Sequence, residues 1–252
     1  MPDRRGLVEI GGQVITTRNL ADAVSAIMQR LAQFGSFLVC TLNLDHVAKL
    51  QGNVKFQEAY AKAELVLPDG FPIVTFARLK GVSLERTAGS DLIDPLCRAA
   101  AARGFPVYLF GTTFGILCAA GRKLAATIPQ LEIAGVCAPP AKFDVHSKAA
   151  DEAIALIQQS GARICLVALG APLQELFSAR ALDVTTGVAY VAVGGSLDFI
   201  AGAQTRCPQI LRQLNLEWAW RAASDPRRLG PRYVACAALF ARLYTRYAWR
   251  RW

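Results

Sequence analysis

The stretch that decides the fold is ICLVALGAPLQELFSARA, residues 164–181. Its first six residues form a continuous apolar run, which is typical of a strand that is buried on both faces. Gly170 and Pro172 then interrupt the run, and Leu173–Ala181 has the alanine and leucine content of a helix. The order of strand, glycine-containing turn and helix predicts one unit of a parallel sheet that is covered by helices.

The same pattern recurs along most of the chain. Five further apolar runs predict strands at Phe37–Thr41, Leu65–Leu67, Val107–Phe110, Ile133–Val136 and Val188–Val193. Segments of helical period predict helices at Leu20–Phe34, Asp45–Ala63, Leu92–Arg103, Phe114–Thr127 and Ala149–Gln159. The predicted fold class is α/β, with a Rossmann-like, mostly parallel sheet, helices on both of its faces, and a basic C-terminal helical appendage.

Charge is distributed unevenly between two parts of the chain. Residues 1–205 carry 18 basic and 17 acidic side chains, whereas residues 206–252 carry 10 basic and 2 acidic ones. We therefore expect a core at residues 1–203 and an appendage at residues 204–252. A basic segment beside a nearly neutral body predicts an anionic partner for the appendage, such as a phosphate, a nucleic acid or a membrane surface.

The end of the appendage has the pattern of a basic amphipathic helix. Arginines recur every four residues between Tyr233 and Trp252, and apolar side chains gather on other faces. This pattern favours a helix at a membrane interface, although a helix that packs on the core with a solvated arginine stripe would look the same. Nucleic acid is not an expected partner, because the aromatic residues are clustered with aliphatic ones instead of being spaced for base stacking.

The cysteines and histidines argue against disulfides and against a metal site. Seven cysteines without C-x-x-C spacing, several of them inside apolar runs, are typical of reduced thiols in a cytoplasmic protein. The N-terminus lacks the layout of a secretory signal. The two histidines, His46 and His146, stand apart from metal-binding patterns, and no D-x-D motif is present. The sequence therefore predicts no metal and no cofactor.

Polar residues and glycines follow the predicted strands. In an open parallel sheet, ligands bind beyond the carboxyl ends of the strands, so these positions are candidates for a site. They are Thr41, Asn43, Asp69, Gly111, Gly170, Pro172, Gln174, Gly194 and Gly195. A carboxylate at this edge, such as Asp69, could accept a proton from an attacking hydroxyl, and the glycines would let backbone N–H groups approach a phosphate.

Each candidate also has a simpler interpretation. Asp69 lies between Pro68 and Gly70, where an aspartate suits a turn. Thr41 and Asn43 could cap the following helix. Arg86 could be a solvated surface arginine, and Gln174 could face water on the first turn of its helix.

Six segments together resemble the bacterial WecG/TagA/CpsF glycosyltransferases, known as glycosyltransferase family 26. The segments are 41–46 (TLNLDH), 68–70 (PDG), 86–91 (RTAGSD), 170–175 (GAPLQE), 194–199 (GGSLDF), and 216–218 (LEW) with the following Pro226, Arg228, Arg232 and Tyr233. Each segment alone is unspecific, but six in this order cover most of the chain. The resemblance implies transfer of a sugar from a UDP-sugar to an undecaprenyl-diphosphate-linked acceptor.

The resemblance also implies roles for individual residues. The general base would be Asp69, with Thr41, Asn43, Arg86 and Gln174 in the pocket around it. Further substrate-binding residues would be Gly111, Gly170, Pro172, Gly194, Gly195 and Asp198, with Arg221, Arg228 and Arg232 of the appendage on the donor diphosphate. Transfer would be inverting and metal-independent, with the appendage folded over the site at the membrane. Pro72 is a departure, since many members of the family have glycine at this position, two residues after the D-G pair.

The identity of the donor stays open. A UDP-hexose such as UDP-glucose, used in exopolysaccharide assembly, is favoured slightly over UDP-N-acetylmannosamine or its uronic acid, which serve teichoic acid or common-antigen assembly. The expected location is the cytoplasmic face of the cell membrane, and a homo-oligomer is compatible with an appendage that folds back. A nucleotide-binding regulator, or a basic domain associated with nucleic acid, is the non-enzymatic alternative.

Overall fold

The structure, a computed structural model, describes residues 7–33, 35–205, 207–208, 219–220 and 226–249. The strands are β1 (Val8–Ile10), β2 (Gln13–Ile15), β3 (Phe37–Leu42), β4 (Ala63–Pro68), β5 (Val107–Gly111), β6 (Ile133–Cys137), β7 (Ile164–Ala168) and β8 (Ala189–Ala192). The helices are α1 (Leu20–Leu31), α2 (Leu44–Leu50), α3 (Val54–Ala61), α4 (Phe71–Leu79), α5 (Gly89–Ala101), α6 (Phe114–Thr127), α7 (Lys148–Gln159), α8 (Leu173–Ala181), α9 (Ser196–Ala201) and α10 (Pro226–Trp249).

The central sheet has six strands in the order β4-β3-β8-β7-β5-β6, and every pair is parallel. Strands β1 and β2 form a separate antiparallel hairpin. Because all six strands point the same way, their carboxyl ends lie along one edge of the sheet. The predicted α/β class with a mostly parallel sheet is confirmed.

Alternate residues of each central strand face opposite sides of the sheet and join two separate cores. On β3, for example, Leu38, Cys40 and Leu42 pack with helices α2, α3, α4, α8 and α10, whereas Phe37 and Val39 pack with α1, α5 and α6. Strand residues alternate in direction, so a strand that is apolar throughout must be covered on both faces. The predicted helices on both faces are confirmed.

The prediction of a single helix over Asp45–Ala63 is wrong. The chain leaves the helix after Leu50 and starts α3 at Val54. Asn53 caps the new helix, because its side-chain oxygen accepts a hydrogen bond from the Phe56 N–H at 3.0 Å. Helix α1 ends at Leu31, and Phe34, the last residue of that prediction, lies outside the described residues.

Helix α10 lies against the core. Leu239, Leu243 and Tyr247 are buried on one of its faces, and the Tyr247 hydroxyl accepts a hydrogen bond from the Gly11 N–H at 3.2 Å. Phe240 stacks on Phe76 of α4 with ring centroids 5.2 Å apart. The apolar face of this helix is therefore occupied by the protein itself, as the core-packing interpretation expects.

Candidate active site

Asp69 and Asn43 meet at the carboxyl ends of the neighbouring strands β4 and β3. Asn43 Nδ2 donates to Asp69 Oδ2 at 3.5 Å, and the Asp69 backbone N–H donates to the Leu42 carbonyl at 2.8 Å. Asn43 also caps α2, since its Oδ1 accepts from the His46 N–H at 3.1 Å. The cap and the contact with the carboxylate coexist, because the two ends of one carboxamide serve them.

Thr41 and Arg86 lie close to this pair but are engaged differently. Thr41 is buried, and its hydroxyl donates to the Ala192 carbonyl on β8 at 3.4 Å, so it joins strands and caps no helix. Arg86 forms an ion pair with Asp91 at 2.7 Å and is only partly exposed. The Thr87 N–H donates to the Pro68 carbonyl at 2.7 Å, which fixes the segment of Arg86 beside the end of β4.

Gln174 bridges the ends of β7 and β8. It is 2% exposed, so the interpretation that it faces water is wrong. Its Oε1 accepts from the Gly194 N–H at 3.0 Å, and its Nε2 donates to Glu175 Oε1 at 2.9 Å. The Gly194 N–H, which the sequence suggested for a phosphate, is therefore engaged within the protein in this arrangement.

Glycines with positive φ let the chain turn sharply at this edge. Gly111, at the end of β5, has φ +123, and a Cβ there would come within 2.4 Å of the Ala168 carbonyl oxygen. Gly170 (φ 74) and Gly194 (φ 55) follow β7 and β8, Pro172 is the N-cap residue of α8, and Gly195 that of α9. Gly111 therefore packs closely against β7, and the turns after β7 and β8 depend on backbone conformations that glycine adopts most easily.

Asp198 supplies a second carboxylate near the end of β5. The Thr112 hydroxyl donates to Asp198 Oδ1 at 3.5 Å. Partial burial raises the pKa of Asp198 above its usual value, and the hydrogen bond from Thr112 opposes that rise. Thr112 itself has φ +31, a backbone conformation that threonine rarely adopts and that is often found at functional sites.

A buried polar cluster lies beneath Asn43 and Gln174. His46 Nδ1 and the Tyr60 hydroxyl share a hydrogen bond of 2.6 Å, and Glu175 Oε1 is 3.9 Å from the same nitrogen. Burial lowers the pKa of His46 to about 3 and raises the pKa of Glu175 to about 7. Sequence reasoning missed this cluster because its members come from α2, α3 and α8, and no local pattern connects them.

Helix α10, called the tail helix below, is joined to the same region by an ion pair. Arg232 Nε of α10 lies 3.1 Å from Asp45 Oδ1, and Lys49 Nζ lies 2.7 Å from Asp45 Oδ2. Lys49 also donates to the Ala171 carbonyl, in the turn after β7, at 3.0 Å. Asp45 is in the first turn of α2, two residues after Asn43, so Arg232 is held close to the site.

The structure does not test the predicted contacts of Arg221 and Arg228 with the donor or the prediction that no metal is bound. Arg221 and the side chain of Arg228 lie outside the described residues. Within the described ranges, no three side chains of His, Cys, Asp or Glu are grouped so that they could hold a metal ion. All seven cysteines lie within the described residues, and none of them is joined to another by a disulfide. In the part of the chain that the structure describes, no helix is both long and apolar enough to cross a membrane.

Comparison with known protein families decides the kind of protein that carries this site. Residues 8–252 match the model of the glycosyl transferase WecG/TagA/CpsF family. The chain belongs to this family. Membership makes it a glycosyltransferase of cell-surface polysaccharide synthesis and implies a sugar-nucleotide donor and a lipid-linked acceptor.

The WecG/TagA/CpsF match includes the tail helix, which packs on α2 and α4 of the core. Four of the six segments that carried the resemblance, 41–46, 68–70, 170–175 and 194–199, lie at or just after the carboxyl ends of β3, β4, β7 and β8. Segment 86–91 is held beside the end of β4 by the hydrogen bond from the Thr87 N–H to the Pro68 carbonyl, and segment 216–218 lies outside the described residues. For this member of the family, the carboxyl edge of the sheet is therefore the candidate active site.

Proposed function

We propose that the protein transfers a sugar, with inversion, from a UDP-sugar to an undecaprenyl-diphosphate-linked saccharide, with Asp69 as general base and without a metal ion. The observation that carries this proposal is the pairing of Asp69 with Asn43 at the carboxyl edge, in a member of a glycosyltransferase family. The contact from Asn43 orients the carboxylate, which is what a base in a fixed position requires.

The reaction is a single displacement. The acceptor hydroxyl oxygen attacks the anomeric carbon of the donor while its proton passes to Asp69, and the bond between that carbon and the diphosphate oxygen breaks to release UDP. The departing diphosphate gains negative charge, which guanidinium groups stabilise well. We assign this role to Arg232, which Asp45 holds beside α2, with Arg221 and Arg228 as its partners from the tail.

The sheet edge is long enough for a whole nucleotide-sugar. Four strand intervals separate β4 from β5, which corresponds to about 19 Å at the usual spacing of neighbouring strands. We place the transferred sugar beside Asp69, the diphosphate over the glycine turns at Gly170 and Gly194, and the nucleoside near Thr112 and Asp198. This orientation spreads the three parts of the donor along the edge from β4 to β5.

The tail helix supplies the contact with the membrane. Its inner face is packed on the core, whereas Val234, Tyr244 and Trp249 are exposed, and Arg242 and Arg246 are exposed on the same helix. Exposed apolar and aromatic side chains beside arginines suit the surface of an anionic membrane. Such a contact would bring the active site to the cytoplasmic face of the membrane, where lipid-linked acceptors are found.

Release of UDP in the presence of a lipid-diphosphate-linked saccharide tests this proposal. UDP-glucose, UDP-N-acetylmannosamine and its uronic acid would be compared as donors, with and without EDTA. We expect acceptor-dependent release with one of these donors, unchanged by EDTA. A protein that binds UDP without turnover of any donor would be a regulator, and a requirement for magnesium or manganese would contradict the metal-independent mechanism.

A further inference from the structure

Glu175 is fully buried beside the proposed site, yet it has no place in the reaction described above. It is 0% exposed, and its Oε1 accepts from Gln174 Nε2 at 2.9 Å. Its Oε2 has no hydrogen-bond partner among the described residues. An unsatisfied buried carboxyl oxygen costs free energy. The hydrogen bond from Gln174 to the other carboxyl oxygen is therefore the interaction from which we infer the role of Glu175.

The contact with Glu175 decides which way the carboxamide of Gln174 points. In the observed orientation, Gln174 offers its oxygen to the Gly194 N–H at 3.0 Å and its nitrogen to Glu175. If the carboxamide were reversed, two N–H donors would face each other at Gly194, and the amide nitrogen would lose its acceptor, Glu175 Oε1. Glu175 therefore keeps the Gln174 oxygen on the backbone of Gly194.

The hydrogen bond from the Gly194 N–H to Gln174 links Glu175 to the candidate active site. Gly194 follows β8 with φ +55, and it precedes the short helix α9, which carries Asp198. Its N–H is fixed by Gln174, so the path of the turn from β8 to α9 is fixed as well. A small shift in such a turn changes the alignment of a bound substrate, to which reaction rates are sensitive.

We propose that Glu175 is a positioning residue for sugar transfer, which acts through Gln174 to set the conformation of the glycine turn at Gly194–Gly195. The proposal rests on the proposed function, because it assumes that this turn receives the donor. Glu175 cannot touch the substrate, since it is completely buried.

The titratable groups around Glu175 come from several elements. Asp45, His46 and Lys49 are on α2, Tyr60 is on α3, and Cys40 is on β3. These neighbours give substitutions of Glu175 an electrostatic effect as well as a geometric one. The test therefore compares variants that differ in whether they keep the acceptor for Gln174.

The informative variants are Glu175→Gln, which keeps a side-chain oxygen for Gln174 Nε2, and Glu175→Leu, which removes it. Thr185→Val is a matched control, because Thr185 is also buried and hydrogen-bonded but lies at the opposite edge of the sheet, before β8. Gln174→Leu and the double variant Gln174→Leu/Glu175→Leu complete the set.

The first readout is hydrogen exchange of the Gly194 amide in the substrate-free protein, which does not depend on activity. We expect Glu175→Leu to speed this exchange by about tenfold, the size of one net hydrogen bond, while Glu175→Gln and Thr185→Val leave it within about threefold. Unchanged exchange in Glu175→Leu would overturn the proposal, whatever the activity of the protein is.

The second readout is kcat/KM for the donor that the wild type uses. Glu175→Leu should lower it by about tenfold, Glu175→Gln should restore most of it, and Glu175→Leu should add no further loss in the Gln174→Leu background. Independent, multiplying losses of the two substitutions would contradict an action through Gln174. If the wild type releases no UDP from any donor, the proposed function fails, and the exchange measurement still decides the role of Glu175.

Discussion

Glu175 and His46 should give the stability of the protein opposite pH dependences. Burial raises the pKa of Glu175 from 4.5 to about 7 and lowers the pKa of His46 from 6.5 to about 3. A difference of one pKa unit between the folded and unfolded states corresponds to about 1.4 kcal/mol. Both groups are almost completely buried, so solvent screens these contributions little.

The sign differs because one pKa is raised and the other is lowered. Protonated Glu175 contributes stability that is fully present below pH 4.5 and is lost as the pH rises toward 7, about 3 kcal/mol in total. Neutral His46 contributes stability that is fully present above pH 6.5 and is lost as the pH falls toward 3, about 3 kcal/mol of it between pH 6.5 and 4.5. The two slopes largely cancel in the wild type over this window.

Single substitutions should expose each slope. Reversible urea unfolding from pH 4.5 to 7.5 would give the free energy of unfolding of the wild type, Glu175→Gln and His46→Gln. We expect the wild type minus Glu175→Gln to fall by about 3 kcal/mol from pH 4.5 to 7, and the wild type minus His46→Gln to rise by about 3 kcal/mol from pH 4.5 to 6.5. Thr185→Val should show a constant difference. Two slopes of the same sign, or two flat differences, would refute the assignment of these protonation states.

Three further predictions concern the tail, the sheet edge and the membrane. In a double-mutant cycle for stability, Asp45→Asn and Arg232→Gln should be coupled by about 1 kcal/mol, since the arginine is 40% exposed and solvent weakens the pair. Gly111→Ala should lower the free energy of unfolding by about 3 kcal/mol or more, because the added Cβ would come within 2.4 Å of a strand carbonyl. Replacing Val234 and Trp249 by serine should weaken binding to anionic vesicles by about tenfold, as measured by co-sedimentation.

Each of these predictions has a matched control. The exposed pair Lys62–Asp183 should show weaker coupling in its own cycle, and equal coupling of the two pairs would contradict the role of Asp45. Gly81 also has positive φ but open space around it, so Gly81→Ala should cost only about 1 kcal/mol. Val54 is exposed on α3 and is not part of the tail helix, and a Val54→Ser protein that loses vesicle binding to the same extent would remove the tail as the contact.

The sheet could be predicted from the sequence because a strand that is buried on both faces appears as a continuous apolar run. A strand such as Ile164–Ala168 must be apolar at every position, and its run ends at a glycine where the chain turns. The prediction over Asp45–Ala63 failed because α2 ends at Leu50 and Asn53 starts a separate helix as its N-cap. The helical spacing of apolar residues does not show where one helix ends and the next begins.

Parts of the site could be predicted because they follow strands directly. Asn43 and Asp69 come immediately after β3 and β4, so a parallel sheet must bring them to one edge. The partners of Glu175 could not be found in the same way. His46 and Tyr60 reach it only through the packing of α2, α3 and α8, and a glutamate beside Gln174 looks like any solvent-facing residue of a helical first turn.

The role of Asp69 is tested most directly by acceptor-dependent UDP release from Asp69→Asn, with the binding of UDP measured in parallel. A general base contributes a factor of about 10² to 10⁴ to the rate, so kcat should fall by at least about 100-fold while the affinity for UDP is kept. Asp94→Asn, which removes an exposed carboxylate paired with Arg98, should release UDP at the wild-type rate. An Asp69→Asn protein that keeps a kcat close to that of the wild type would contradict the mechanism.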